Sequence, residues 1–212
     1  MKSEKKISTP VLRRLPKYYR HLEELSRAGI EKISSKELSK LINVTASQIR
    51  QDLNCFGGFG QQGYGYNVVS LRDSLAEILG VTKRYTAVIV GVGHLGQALA
   101  NHNTMSRSGV DLIGLFDISP DVVGSEVAGH TVQNISQAYR FCSENNVDIA
   151  ILTLPKSEAS TVAELLAEAG VKGFWNFVNT ELKVSGKNVS VENVYMGDSL
   201  MKLCYDVSAQ DL

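Results

Sequence analysis

The stretch that decides the fold is Thr86-Ala-Val-Ile-Val90-Gly91-Val92-Gly93-His94-Leu95-Gly96. A short β-branched run ends at a glycine, and two more glycines follow at spacings of two and three. A bare G-x-G-x-x-G is weak evidence, but here it follows an apolar strand and opens a helix expected near 94–102, which is the context the motif needs. Gly91 permits the tight turn. Gly93 lets the backbone approach a pyrophosphate with no Cβ in the way, and Gly96 lets the helix lie close to the strand. The N–H groups around Val92, His94 and Leu95, at the positive end of that helix, would face phosphate oxygens.

The second half of the signature is an acid about 20 residues further on. Asp117 closes the run Leu112-Ile-Gly-Leu-Phe116. A carboxylate there can accept from both adenosine ribose hydroxyls and would repel a 2′-phosphate. No Lys or Arg occurs from Ile118 to His130 to reverse that preference. NADH and NAD+ are therefore favoured over their phosphorylated forms. Coenzyme A and S-adenosylmethionine stay open as alternatives. A nicotinamide would lie over the carboxyl ends of later strands, with Thr153-Leu154-Pro155 and Asn176-Phe177 as candidate linings.

Around this motif the chain alternates. Strands are expected at Tyr85–Val90, Val110–Phe116, Asp148–Leu154, Gly173–Phe177 and Val189–Val194. Helices are expected near 94–102, 135–145 and 159–169. The fold class is α/β in this part, a Rossmann-type parallel sheet covered on both faces. Asp198 to Val207 reads as a closing amphipathic helix with Leu200, Leu203, Cys204 and Val207 on one side.

Before Gly80 the pattern differs. Val11, Leu15, Tyr18, Tyr19, Leu22 and Leu25 make a helical stripe from Pro10 to Ala28, with Pro16 as a possible break. Ser34-x-x-Glu37 and Thr45-x-x-Gln48 are capping boxes for two short helices separated by a turn at Asn43-Val44. Phe56 to Val68, with glycines among aromatics, suits a hairpin. A last helix, with Ser70 as its expected cap, ends at Gly80. Helices, a hairpin and a packing helix in this order predict a winged helix-turn-helix. On the third helix, Ala46, Ile49, Leu53 and Phe56 point inward. Ser47, Gln48, Arg50, Gln51 and Asn54 fan outward as donors that can read base edges. Thr45 caps that helix beside them. Lys17, Arg20, Lys36 and Lys40 are candidate phosphate contacts, and Gln61-Gln62 form a candidate wing tip. Asp52 would repel phosphate unless a nearby Arg pairs with it.

Charge supports this division. The 212 residues carry 22 Lys+Arg and 22 Asp+Glu, a formal net charge of zero. The zero is a cancellation, because residues 1–80 sum to +5 and the remainder to −5. A polyanion partner is expected for the first part only. At 43% apolar and 21% charged, the chain can bury a sizeable core. No apolar run reaches the roughly 18 residues of a membrane helix, and Met1 to Thr9 lacks the apolar core of a secretory signal. Cys55, Cys142 and Cys204, with no C-x-x-C, suit reduced thiols of the cytoplasm and offer no zinc site.

The stretch Ser47-Gln-Ile-Arg-Gln-Asp-Leu-Asn-Cys-Phe-Gly-Gly-Phe-Gly60 and Gly63-Tyr-Gly-Tyr-Asn-Val68 resembles the recognition helix and wing of the Rex family of bacterial redox-sensing transcriptional repressors. Gly91–Gly96 with Asp117 is similar to that family's NADH site. Gly173-Phe-Trp-Asn-Phe177 and Val191-Glu-Asn-Val194 resemble its late strands. The resemblance implies a homodimer that binds an inverted-repeat operator, is released by NADH and is favoured on DNA by NAD+. It implies domains at 1–80 (DNA-binding), 81–196 (NAD(H)-binding) and 197–212, a dimerisation helix swapped onto the partner. It departs from the family's pattern at Gln51, Gln61 and Gln62, where basic residues are frequent, and at His102, where a Tyr is frequent. Tyr195 also stands where an acid often pairs with an arginine of the first helix, here Arg14. The rival readings are an NAD-dependent dehydrogenase, for which no acid–base pair is evident, and a regulator sensing another nucleotide.

Overall fold

In the computed structural model the described residues are 7–56, 60–61, 65–184 and 188–210. The chain divides into two compact units, residues 1–83 and 84–212.

The first unit runs α1 (Thr9–Arg27), β1 (Lys32–Ile33), α2 (Ser35–Ile42), α3 (Ala46–Asn54), β2 (Gly60–Gln61), β3 (Gly65–Asn67) and α4 (Val68–Leu79). Its small antiparallel sheet has the order β1-β3-β2. Val11, Leu15, Tyr18 and Leu22 form the buried stripe of α1. They pack with Leu38, Ile49, Leu53, Leu71 and Leu75 in one core. Pro16 does not break α1: it lies on the exposed side, where water can serve the carbonyl that its missing N–H leaves unpaired. The Ser34–Glu37 box is complete, each side chain meeting the other's backbone N–H. At Thr45 only half of the expected box forms. Thr45 Oγ1 accepts from the Gln48 N–H at 3.2 Å, while the Gln48 side chain turns elsewhere. The cap of α4 is Asn67 rather than Ser70, since Asn67 Oδ1 accepts the Ser70 N–H at 2.8 Å and starts the helix three residues earlier. Gly80 ends it in the left-handed conformation at φ 74°.

The second unit holds β4 (Tyr85–Val90), α5 (His94–Asn101), α6 (Thr104–Arg107), β5 (Val110–Asp117), β6 (Glu126–Val127), β7 (His130–Asn134), a 3-10 turn (Ile135–Gln137), α7 (Ala138–Glu144), β8 (Ile149–Leu152), α8 (Lys156–Glu168), β9 (Gly173–Asn176), β10 (Ser190–Asn193) and α9 (Met196–Ser208). The sheet order is β10-β9-β8-β4-β5-β7-β6. All neighbours are parallel except β6, which turns back on β7. The β6–β7 pair was not anticipated. His130-Thr-Val-Gln-Asn134 buries only Val132, so this strand, next to the edge, carries almost no apolar signal. The central strands alternate as a sheet covered on both faces requires. Val88, Val90, Ala150 and Leu152 face α7 and α8 in one cluster. Ala87, Ile89, Leu115 and Ile151 face the other side with Met105. Cys142 lies in the first cluster, and burial pushes its thiol pKa up to about 11.

Gly96 is fixed by packing. A Cβ there would lie 2.1 Å from the Gly91 carbonyl oxygen, whereas at Gly93 it would meet nothing within 4 Å. Gly96→Ala should therefore destabilise the protein by about 1–3 kcal/mol, as overpacking does. Gly93→Ala should leave denaturant unfolding unchanged. Equal unfolding midpoints for the two variants would contradict this packing.

Candidate nucleotide site and nucleic-acid interface

The order of the parallel strands reverses between β4 and β8, and in open sheets of this kind ligands bind at that reversal, outside the carboxyl ends of the strands. The backbone of β4 turns sharply at Gly91, φ +94°, where a Cβ would lie 2.6 Å from the Thr153 carbonyl oxygen. Thr153 closes against the same turn. Its N–H donates to the Val90 carbonyl at 2.9 Å, and its hydroxyl to the Gly91 carbonyl at 2.5 Å. Gly93 then precedes α5 with no side-chain cap and an exposed surface, so the first N–H groups of that helix point outward at its positive end. Asp117 ends β5 beside the loop. Its Oδ2 accepts the Val92 N–H at 2.5 Å and its Oδ1 the Ser119 N–H at 2.8 Å. Each oxygen keeps a further lone pair for another donor. Gly91, Val92, Gly93, His94, Leu95, Gly96 and Asp117 thus come together in one turn, which can cradle a diphosphate and hold a vicinal diol.

The expected linings at the later strands separate. Phe177 stacks edge-on against Trp175 (centroids 4.6 Å apart, 63° between planes) and packs on the cluster that contains Val92, on the Asp117 side of the sheet. Leu154 packs into the opposite cluster, and Pro155 is the exposed N-cap of α8. Asn176 is not a lining residue. It is fully buried, and its amide is committed to the protein: Nδ2 donates to Asn193 Oδ1 and to the Thr180 carbonyl, both at 2.8 Å, while Oδ1 accepts the Val178 N–H at 3.0 Å. A turn that must close over three backbone groups consumes the side chain that the sequence offered to a ligand.

On the first unit, Ser47, Arg50, Gln51 and Asn54 are exposed on α3, with Thr45 exposed at its start. Lys36 and Lys40 of α2 and Arg20 of α1 are exposed, and Lys17 is half-buried. Arg50 Nη1 donates to Ser35 Oγ at 2.9 Å, which ties its head toward the start of α2. Gln61 belongs to β2, but its side chain and the whole of Gln62 lie outside the described residues.

Gln48 leaves the outward set. Its amide donates to Asp52 Oδ1 at 2.8 Å. Asp52, 1% exposed, also accepts Arg14 Nε at 2.6 Å and Nη2 at 2.7 Å, and the Tyr18 hydroxyl at 2.6 Å. The carboxylate receives four donors on two oxygens and pins α3 to α1. Burial alone would raise its pKa, but the bonds from Arg14, Tyr18 and Gln48 outweigh that and hold it below the ordinary carboxylate range. Burial, together with the bond to Asp52, drives the Tyr18 phenol up. Arg14 is thereby engaged within its own unit rather than by a late acid. Sequence reasoning could see that Asp52 needed a partner, but not that Tyr18 would be one.

A winged helix-turn-helix unit followed by a parallel sheet with a dinucleotide turn defines a DNA-binding regulator of the ligand-responsive class. Residues 6–54 match the family described as "Putative DNA-binding protein N-terminus", and residues 82–180 match the CoA binding domain. The chain is 47% identical over its full length to the redox-sensing transcriptional repressor Rex of Clostridium perfringens, strain SM101, covering 100% of each. It is also 47% identical to Rex of Thermoanaerobacter pseudethanolicus, covering 100% of this chain and 94% of that one. A crystal structure of RSP in complex with NAD+ and operator DNA superposes at TM-score 0.90, with 46% identity over 98% of this chain and 95% of that one. RSP in complex with NADH superposes at 0.89, with 43% identity over 98% and 97%. The chain belongs to the Rex family of redox-sensing transcriptional repressors. Among its described residues no helix is long and apolar enough to cross a membrane, and no cluster of metal-ligating side chains occurs.

The Asp52 network yields a test of stability. Asp52→Ala leaves the Tyr18 hydroxyl buried without its acceptor, and unfolding should be easier by about 3 kcal/mol, the lower range for breaking a buried charged pair because Arg14 is partly exposed. A depressed folded-state pKa contributes stability that is complete above the ordinary carboxylate range and is lost as pH falls through the folded value. The difference between parent and variant should therefore shrink in acid below about pH 4. An undiminished difference at low pH would show that the carboxylate charge is not what holds α3.

Proposed function

We propose that this chain represses transcription according to the balance of NADH and NAD+. In this reading it grips an inverted-repeat operator as a homodimer and releases it when NADH binds. The observation that carries the reading is the Gly91–Gly96 turn closed by Asp117 in a chain that also carries a winged helix. The relatives solved with NAD+ and operator DNA, and with NADH, support it. The working division assigns residues 1–80 to operator binding, 81–196 to the nucleotide and 197–212 to dimerisation. Along α9, Leu200, Leu203 and Val207 are 61%, 57% and 52% exposed, an apolar row that suits a second copy of the chain. The cytoplasm, where operator and nucleotide pool meet, is the compartment this function needs.

Roles follow from the geometry. Arg50, Ser47, Gln51 and Asn54 would meet base edges. Lys17, Arg20, Lys36 and Lys40 would meet phosphates and set orientation. The Gly91–Gly96 backbone and Asp117 hold groups that the two redox forms share, so these residues cannot discriminate between them. Discrimination falls to the wall formed by Phe177 on Trp175. An apolar wall disfavours a charged ring relative to a neutral one by a few kcal/mol. Moving a two-state population from 1:99 to 99:1 takes about 5.5 kcal/mol, which two sites on a symmetric dimer can share.

The match to a CoA binding domain favours one second reading, a response to coenzyme A. A single titration separates the two. Gel shifts on a palindromic operator should show binding weakened about tenfold or more by NADH, within the usual range of allosteric coupling, and unaffected by coenzyme A. Asp117→Ala should abolish the NADH response while leaving nucleotide-free operator binding and its salt dependence intact. Release by coenzyme A, or an operator affinity indifferent to every nucleotide, would refute the proposal.

A further inference from the structure

The buried amide of Asn176 does more than close a turn. It stands at the end of β9, directly before Phe177, and its Nδ2 reaches across to Asn193 Oδ1 at 2.8 Å, at the end of β10. The two backbones are paired at the same level: Asn176 faces Asn193 in register, and the Val194 N–H donates to the Asn176 carbonyl at 2.8 Å. On the other side, the Phe177 N–H is held by the Leu152 carbonyl at 3.0 Å, and the Asn176 side chain fixes Val178 and Thr180. Three residues past Asn193 the chain enters α9 at Met196. One hydrogen-bonded block therefore joins the aromatic wall at Phe177 to the point where α9 departs. Among the described residues, the bond between the two asparagines is the side-chain link that ties the end of β9 to the end of β10.

We infer that Asn176 and Asn193 are positioning residues of the redox response: their hydrogen bond sets the take-off of α9 according to the placement of the Phe177 turn. The inference rests on the proposed function, because it concerns how a nucleotide seated against Phe177 is felt by the dimerisation helix. A ligand can shift a conformational equilibrium only through contacts that differ between states. The Phe177 turn is where the reduced and oxidised rings would differ, and α9 is the exposed element attached to it. Asn193 is half-buried and Asn176 is wholly buried, so Asn193 is the position to change.

The test uses the full-length protein. NADH affinity is read from the fluorescence of the bound nucleotide. Operator affinity is read from anisotropy of a labelled duplex, with and without saturating NADH. In Asn193→Ala and Asn193→Ser, neither of which reaches Asn176, NADH affinity should stay within about threefold of the parent. Operator affinity without nucleotide should stay within about twofold. The fold-loss of operator affinity on adding NADH should fall to less than about a third of the parent's, a change in coupling rather than in binding. Asn193→Asp, which keeps an acceptor oxygen in place, should restore it. A parent-sized loss in both shortened variants would overturn the inference. So would weakened NADH binding that Asn193→Asp fails to rescue, since that is the signature of a merely structural bond. A parent that shows no loss with NADH would instead sink the proposed function, and the inference with it.

Discussion

The nucleotide unit depends on a contact in which there is no room for a side chain. At Gly91 the chain leaves β4 with a positive φ and passes so close to the Thr153 backbone that a Cβ would lie 2.6 Å from its carbonyl oxygen. Five residues later, α5 returns over the same turn at Gly96, again with no space for a methyl group. The two absences draw the start of α5 down onto the sheet at the point where strand order reverses. The outward N–H groups and the nearness of Asp117 both follow from that approach. Gly93 differs in kind. A Cβ there would meet nothing within 4 Å, so packing does not require its glycine.

The operator-binding unit has a polar counterpart to this steric constraint. Asp52 sits inside α3, a helix whose outer face should meet a polyanion. Left unpaired, it would oppose both folding and binding. Arg14 and Tyr18 from α1 and Gln48 from α3 itself absorb it completely. The exposed face of α3 is left to Ser47, Arg50, Gln51 and Asn54, with no acid among them. The network takes the Gln48 amide out of the outward set, and in return α3 is tied to α1.

Legibility in the sequence followed the strength of the physical signal. The central strands, the glycine turn and Asp117 are readable, because buried parallel strands are continuous apolar runs and Gly91 and Gly96 have a steric reason at a fixed spacing. The edge pair β6–β7 is not, since a strand with one covered face and a single buried valine looks like a loop. Gln48 and Asn176 misled for a common reason: an amide can serve a ligand or its own protein, and only the fold shows which groups around it lack partners. Asp52 supplied the competing demand for Gln48, and the turn at Val178–Thr180 did so for Asn176. Arg14 is the same case for a cation. The acid it pairs with, Asp52, lies 38 residues away in sequence, beyond any local pattern.

The central claim is that the nucleotide turn and the recognition helix share one equilibrium. Linkage requires such coupling to be reciprocal. The direct measurement is the affinity of the protein for NADH, by calorimetry, alone and saturated with operator duplex. Operator should weaken NADH binding by the same factor by which NADH weakens operator binding. An NADH affinity unchanged by the operator would contradict it.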